Sequence, residues 1–519
     1  MANWWKIKKF FRANPKIWYL IVFLISFVFL LYLQYNSALA DPDSFYHIKM
    51  SLILRDQGVV EEFPWLQYTV LNDSYTDQHW LYHGLMIPFV TFLHPIVGAK
   101  VYSVLLGATL ITLFYWLLRK LHVRYAPLFA FVLLLVNPFI FRLSLIKAPV
   151  LSLIFLIVGL YLLFSYRHKA LFVLSWLYVW SYGGFLLILV FSGLYCFISF
   201  VLTKKPGDYF KNFWRDRNVK LFISSLAGVV LGVTLNPYFP QNLKFYWHQL
   251  VQIGIINYQD VIGVGGEWYP YNFSELIPNT IFVSLIMVVA IILFLIKIKK
   301  QGRITITLFI ISLFFFFLTL KSRRYVEYYV PFAVLFGAVI ISRTMINQDI
   351  KKMMATLRQM YLKRKFFTFV IILYLIIVIP FVAVRDIRSN KISLDSGIPS
   401  TKFQSASQWL AENSQPGAIV LHSDWDEFPI LFYHNHHNYY IVGLDATFMY
   451  NYNQELYWQW VNITIGEQKE NLAAIIKKDF QASFVFLEKD HTAMDTNITA
   501  DNGFQLVYED DQAKIYQLI

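Results

Sequence analysis

Residues 38–50 read ALADPDSFYHIKM and stand at the exit of the first long apolar run of the chain, residues 17–39. A helix that crosses a bilayer needs about 20 apolar residues, so this stretch lies where the chain leaves a membrane. Asp41, Asp43, Phe45, Tyr46 and His47 stand together there. An acidic residue at such a point can cap the next helix, which is worth about 1 kcal/mol. Capping does not account for His47, four residues beyond Asp43 and therefore on the same helical face. Farther on, YTDQHWLYH (residues 75–83) adds Asp77, His79, Trp80 and His83. Carboxylates and imidazoles gathered above an apolar bundle suit acid–base chemistry or a metal.

The rest of the chain supports the membrane reading. Of 519 residues, 57% are hydrophobic and 15% charged, and the mean hydropathy is +0.49. Ordinary soluble domains carry about 25% charged residues, so the expected class is a polytopic α-helical membrane protein. The net charge of +13 does not point to nucleic acid. Its Lys and Arg residues fall in short runs between apolar segments, as topology signals do. Membrane lipid, through anionic headgroups or lipid phosphates, is the expected partner. Cys196 is the single cysteine, which excludes a disulfide within one chain. KIKKFFR (residues 6–12) precedes the first apolar run without a small-residue cleavage site, which reads as an uncleaved first span.

Spans are expected at 17–39, 97–118, 125–141, 148–166, 169–182, 184–203, 220–236, 279–297, 303–321, 325–343 and 366–384, about eleven in all. The fifth and sixth share one run broken only by SYGG (residues 181–184) and could form one long helix. Counted separately, they put the basic clusters on one side: Lys6 to Arg12, Arg119 to Arg124, Arg167 and Lys169, Lys204 to Arg217, Lys297 to Arg303, and Lys351 to Lys365. Positive charge marks the cytoplasmic side. The expectation is a multi-pass protein of the cytoplasmic (inner) membrane, N-terminus inside. Its domains are a membrane domain over 1–385 with external loops 40–96 and 237–278, and an extracytoplasmic soluble α/β domain over 386–519. KSRR (residues 321–324) then lies on the side the rule disfavours, either as charge placed for chemistry or as a simple exception to the topology rule. Within 40–96, Phe45, Ile48, Leu52 and Ile53 share a helical face, and both external loops are expected along the membrane surface. In the tail, residues 417–435, 439–445, 482–490 and 504–519 read as strands, and 403–413 and 466–480 as helices. HNHH (residues 434–437) suggests metal by composition, although a solvated turn explains it as well.

The quoted residues resemble the first external loop of GT-C fold glycosyltransferases. DSFYHIK (residues 43–49) is similar to the Asp-Pro-Tyr-Tyr-His of archaeal oligosaccharyltransferase catalytic subunits. The resemblance continues in chain order: HWLYHGLM at 79–86, WSYGGFLLIL at 180–189, GGEWYPYNF at 265–273, SRRYVEYYVPFAVLFGA at 322–338 and HSDWDEFPILF at 422–432. A group of poorly characterised bacterial glycosyltransferase-like membrane proteins is also similar, through ADPDSFYH, DQHWLYH, LNPYF, GEWYP and SRRY.

The resemblance implies a glycosyltransferase that uses a polyprenyl-phosphate-linked sugar donor and a glycan or protein acceptor on the extracytoplasmic face. It makes Asp43, Glu267 and His47 catalytic candidates, with Asp43 as general base. It assigns substrate binding to Arg323, Arg324, His79, Trp80, Trp425 and Asp426. The chain departs from the oligosaccharyltransferase pattern twice. FRLSLIKAPVLS (residues 141–152) holds Arg142 and Lys147 where that family has an acidic pair, and Asp424, Glu427 and Phe428 interrupt its tail signature. Arg142 and Lys147 therefore join the phosphate-binding candidates, with interfacial snorkelling as the other reading of them. No cofactor is demanded by this set; a divalent cation, Mg2+ or Mn2+, would have Asp43 and Glu267 to hold it. Two other readings stay open: a lipid-linked sugar transporter or flippase, and a catalytically inactive GT-C-like scaffold.

Overall fold

The expected spans are helical over most of their length in a computed structural model of the chain, which describes residues 16–202, 216–345 and 365–519. The basic clusters at 6–12, 204–215 and 351–364 lie outside the described residues. By length and composition six of the described helices suffice to cross a membrane, or up to eight if each bent pair is one span. The chain is a multi-pass membrane protein. Some of its helices are shorter than a span requires, such as Pro149–Phe164 and the twelve-residue His168–Val179.

The bundle runs α1 (Ile17–Gln34), α2 (Asp43–Gln57), α3 (Trp80–Phe92), α4 (Pro95–Lys120), α5 (Ala126–Val132), α6 (Asn137–Ser144), α7 (Pro149–Phe164), α8 (His168–Val179), α9 (Leu186–Val201) and α10 (Arg217–Thr234). It continues through α11 (Gln241–Tyr246), which runs on as a π-helix over Trp247–Ile256, then α12 (Phe273–Asn279), α13 (Ile281–Ile296), α14 (Arg303–Lys321), α15 (Val326–Met345) and α16 (Lys365–Asp395). SYGG does separate two helices. α8 ends at Val179 and the chain restarts in a 3-10 turn over Gly183–Phe185. A Cβ on Gly183 would lie 2.3 Å from the Gln78 side chain, so the turn packs directly against the stretch 40–96.

α8 and α10 approach closely where Gly228 and Gly232 of α10 face α8. A Cβ on Gly228 would stand 2.2 Å from the Phe172 carbonyl oxygen, and one on Gly232 would stand 2.8 Å from that of Trp176. Small residues four apart let helix backbones approach where lipid offers no hydrophobic drive. The indole of Trp180 donates to the Gly232 carbonyl at 2.9 Å. Gly228→Ala is expected to cost about 1–3 kcal/mol through overpacking against backbone. A fall in the thermal midpoint of the detergent-solubilised protein would show it; an unchanged midpoint would contradict the close contact.

After α16 comes a sheet-containing domain with strand order β4-β3-β5-β7-β6. Its strands are β3 (Ile419–His422), β4 (Tyr439–Tyr440), β5 (Phe484–Glu488), β6 (Phe504–Glu509) and β7 (Ala513–Leu518). β3 pairs in parallel with β4 and β5, while β7 is antiparallel to both β5 and β6. β1 (Ala38–Leu39) and β2 (Ile398–Pro399) form a separate antiparallel pair that ties the start of the stretch 40–96 to the end of α16. The strand expected over 417–435 ends at His422 and gives way to a helix, Phe428–His434. The physical reason is local. The Glu427 carboxylate accepts from the Asp424 N–H at 3.0 Å and from Ser423 Oγ at 2.5 Å, closing a turn, and Pro429 sits where a first helical turn tolerates it.

The stretch 40–96 is the joint between bundle and sheet. Phe45, Tyr46, His47, Ile48 and Met50 of α2 are buried, with Phe45 edge-on to Tyr433 at 5.6 Å. Trp65 donates to the His436 carbonyl at 2.8 Å, and its own carbonyl accepts from Tyr440 N–H at 2.9 Å. This joint brings Trp425, Asp426 and Asp445 over the mouth of the bundle.

Candidate active site

Asp41 caps α2: its Oδ1 accepts from Ser44 N–H at 2.9 Å and from Ser44 Oγ at 2.7 Å. Asp43 is thereby released from capping and projects into a cavity of about 1100 Å3. Two breaks in the bundle furnish the facing wall. α5 and the 3-10 turn after it bend by 80° into α6, and Asn390 Nδ2 pins the bend by donating to the Asn137 carbonyl at 3.2 Å. α6 is thus turned so that Arg142, and just beyond it Lys147, line the cavity. Glu267 rides on the 3-10 turn Gly266–Trp268, whose backbone is held by Ser322 Oγ donating to the Glu267 carbonyl at 2.8 Å.

Four carboxylates and three cations interlock. Lys147 Nζ lies 2.8 Å from Asp43 and 3.2 Å from Asp41. Arg142 bridges Glu267 and Glu327, with Nε 2.8 Å from the Glu327 carboxylate. Arg324 stands 3.5 Å from Glu267, takes Tyr182 as a hydrogen-bond acceptor at 3.3 Å and lies over the Trp268 ring at 4.1 Å. Asp43 is the most open of the carboxylates for which a cavity ion pair is formed, its side chain 36% accessible against 14% for Asp41 and 27% for Glu267.

Burial raises the Asp43 carboxyl above the ordinary range, against the opposing pull of Lys147. Burial would raise Glu267 too, but Arg142, Arg324 and Lys147 together hold it well below the usual range. Burial alone would lower Lys147; Asp41 and Asp43 reverse that and keep it charged. His47 is pushed well down by burial and by its neighbours His79 and His83, and burial followed by His83 lowers His79 to about 3 against the pull of Asp77. On the sheet side, burial followed by Asp424 and Glu427 lifts Asp426 to about 7.

Of the residues singled out in the sequence, Asp43, Glu267, His47, His79, Arg142, Lys147, Arg324, Trp425 and Asp426 all line this one cavity. Arg323 and Trp80 do not. Arg323 faces outward, donating to the Pro270 carbonyl at 3.1 Å and pairing with Glu275 at 3.3 Å. Trp80 packs edge-on against Trp180 at 5.2 Å. Sequence reading did not assign a role in the site to Glu327 or Asp445, nor an ion pair to Asp41. Glu327 opens α15 just after the basic cluster, and an acidic residue entering an apolar helix was the available signal.

A Mg2+ or Mn2+ ion held by Asp43 and Glu267 does not fit these residues. Such ions want several oxygens, and here those oxygens are engaged by an ammonium and two guanidiniums. The HNHH run is dispersed as well: His437 Nε2 sits 3.0 Å from the Ser414 carbonyl. Among the described residues, the donors able to surround one ion are His47, His79 and His83.

No protein-family model matches the chain, and no curated protein matches it by sequence. Solved structures do. An archaeal oligosaccharyltransferase, AglB from Archaeoglobus fulgidus in complex with an inhibitory peptide and a dolichol-phosphate, aligns over 98% of this chain and 75% of its own, with TM-score 0.64 and 14% identity. The chain has a GT-C fold. ArnT from Cupriavidus metallidurans bound to undecaprenyl phosphate aligns over 97% of this chain and 98% of its own, with TM-score 0.56 and 13% identity. The arabinofuranosyltransferase AftD from Mycobacteria aligns over 97% of this chain but 40% of its own, with TM-score 0.54 and 11% identity. Within the GT-C fold of this chain, the cavity lies where the bundle, the stretches 40–96 and 237–278 and the sheet domain meet.

Proposed function

We propose that the chain is a membrane glycosyltransferase that moves a sugar or glycan from a polyprenyl-phosphate-linked donor to a glycan or protein acceptor on the extracytoplasmic face of the inner membrane. The observation that carries this reading is the convergence of an open carboxylate, Asp43, with Lys147 and Arg324 in one cavity. One side of that cavity is apolar, formed by Leu186, Leu187 and Val190 of α9, Phe314 and Leu318 of α14, and Trp247. That wall suits the isoprenoid part of a lipid donor, and the cations suit its phosphate.

Asp43 takes the proton of the acceptor hydroxyl as its oxygen attacks the anomeric carbon. The bond from that carbon to the phosphate oxygen breaks, and the lipid phosphate leaves with the bonding pair toward Arg324 and Lys147. Pre-placed cations stabilise that developing charge without reorganisation. Glu267 keeps Arg142 and Arg324 in place, while Trp425 and Asp426 border the acceptor side. Arg142 completes the cation set from the far side of Glu267, and His47 and His79 wall the acceptor. Arg323, paired outside the cavity, and Trp80, packed on Trp180, have no step to perform.

Arg324→Ala is expected to weaken binding of undecaprenyl phosphate by about tenfold to a hundredfold, the loss of one charge-assisted contact. Titration of the detergent-solubilised protein with that lipid measures it, with Arg323→Ala as the control expected to bind normally. Equal affinity in wild type and Arg324→Ala would remove the phosphate-binding role.

A further inference from the structure

We propose that His47, His79 and His83 form a binding site for one first-row transition-metal ion of the Zn2+ class, with an open coordination position facing the cavity. The site is separate from the Asp43–Glu267 carboxylates, whose oxygens are engaged by lysine and arginine. One nitrogen from each of the three imidazoles lies within 4.8 Å of the others. Bonds of about 2.0–2.1 Å to a common Zn2+ therefore require side-chain adjustment only.

The hydrogen bonds around the cluster fix which nitrogens carry lone pairs. His83 is buried, and its Nδ1 lies 2.7 Å from Asp77 Oδ2. Asp77 is buried too, its Oδ1 occupied by the His79 backbone N–H at 2.9 Å. With Asp77 as the acceptor, His83 Nδ1 is the N–H and Nε2 keeps its lone pair. That lone pair faces His47 Nδ1 at 2.8 Å. A carboxylate that orients a histidine through its far nitrogen is the usual outer partner of a zinc ligand. An ion entering between His83 Nε2 and His47 Nδ1 replaces the hydrogen bond there, and His47 carries its proton on Nε2 instead.

The third donor lies within 4.8 Å of the pair. The His79 ring lies 5.0 Å from that of His47 between centroids and rests on Tyr182 at 5.8 Å and 24°. Neither of its ring nitrogens makes a hydrogen bond within the described residues. His47 and His79 line the cavity while His83 stands behind them, and Tyr46 and Tyr82 close the apolar side at 6.0 and 5.9 Å from the His83 ring. Three protein ligands on one side and an accessible space on the other is the arrangement of zinc sites that accept an exogenous ligand. Imidazole sets favour zinc, copper, nickel and iron over magnesium and calcium. The open position is offered to a phosphate or hydroxyl oxygen in the cavity.

The test uses the full chain in detergent, stripped with a chelator and titrated with Zn2+, then with Co2+ as a spectroscopic substitute. The expected result is one equivalent of metal per chain and the intense visible bands of a tetrahedral, nitrogen-bound Co2+. His79→Ala, at the cavity rim, should weaken Zn2+ binding at least a hundredfold, and Asp77→Asn about 10–100-fold. His436→Ala and His437→Ala should bind as wild type. Absence of stoichiometric binding overturns the proposal, and so does unchanged affinity in His79→Ala. His79→Ala decides the matter even if His83→Ala does not fold. Metal content is read independently of sugar transfer, so a negative result leaves the glycosyltransferase proposal standing.

Discussion

Asp43→Asn is expected to lower sugar transfer by about 10^2–10^4-fold, the contribution of a positioned general base, with the folded state intact. Asparagine keeps the size of the side chain, and Asp43 makes no capping bond that would be lost. Asp41→Ala makes the contrast. It removes the cap that Asp41 Oδ1 gives to Ser44, costing about 1 kcal/mol, and spares the base. The pH dependence separates the two further. A base works only when deprotonated, and burial places the Asp43 carboxyl above its ordinary 3.8. The acid limb of the transfer rate is therefore expected above that value, with the rate rising as pH rises through it. Lys147 is the main influence that pulls this group down, so Lys147→Met should move the acid limb higher still. Transfer to an outer-face acceptor in membrane vesicles, measured against pH for these variants, checks the set. Full activity in Asp43→Asn would end its assignment as base.

The sequence was most informative where chemistry is local. The Asp43–His47 spacing, the Asp77–His83 run and the Gly-Glu-Trp turn each declare a polar constellation beside a span, and the structure brings these segments to one cavity. The helices of the bundle were legible from their apolar runs, but not the span count: of about eleven expected, six to eight among the described residues are long and apolar enough to cross a membrane. SYGG was ambiguous by hydropathy, and what resolves it is the close approach of Gly183 to Gln78, a contact between segments a hundred residues apart. The tail was misread at 423–435 because Phe428–Phe432 is apolar enough for a strand, while its helix is set by a side-chain turn at Glu427 and by Pro429. The pairing of charges was not legible at all. Nothing in KSRR distinguishes Arg323 from Arg324; the short 3-10 turn does, sending one guanidinium outward to Glu275 and the other inward to Glu267. Arg142 read as a phosphate ligand, yet in the folded chain it lies between two carboxylates.

That sandwich predicts the largest loss of stability. Arg142 has only 10% of its side chain accessible and Glu327 only 4%. Removing one partner of a buried pair strands the other charge, at about 3–5 kcal/mol. Glu327 is ill-placed to recover, since its Oε1 already has no hydrogen-bond partner. Arg142→Leu is therefore expected to depress the thermal midpoint sharply or to prevent recovery of folded protein. Replacing both ions by apolar residues is often neutral, so Arg142→Leu with Glu327→Leu should regain much of the lost stability. Transfer should not return with it, because Arg142 also holds Glu267 beside Arg324. Thermal midpoints of the two variants in detergent, alongside transfer, separate the roles. A single Arg142→Leu variant as stable as wild type would mean that the buried carboxylates do not depend on that guanidinium, and a double variant with full activity would remove Arg142 from the support of the site.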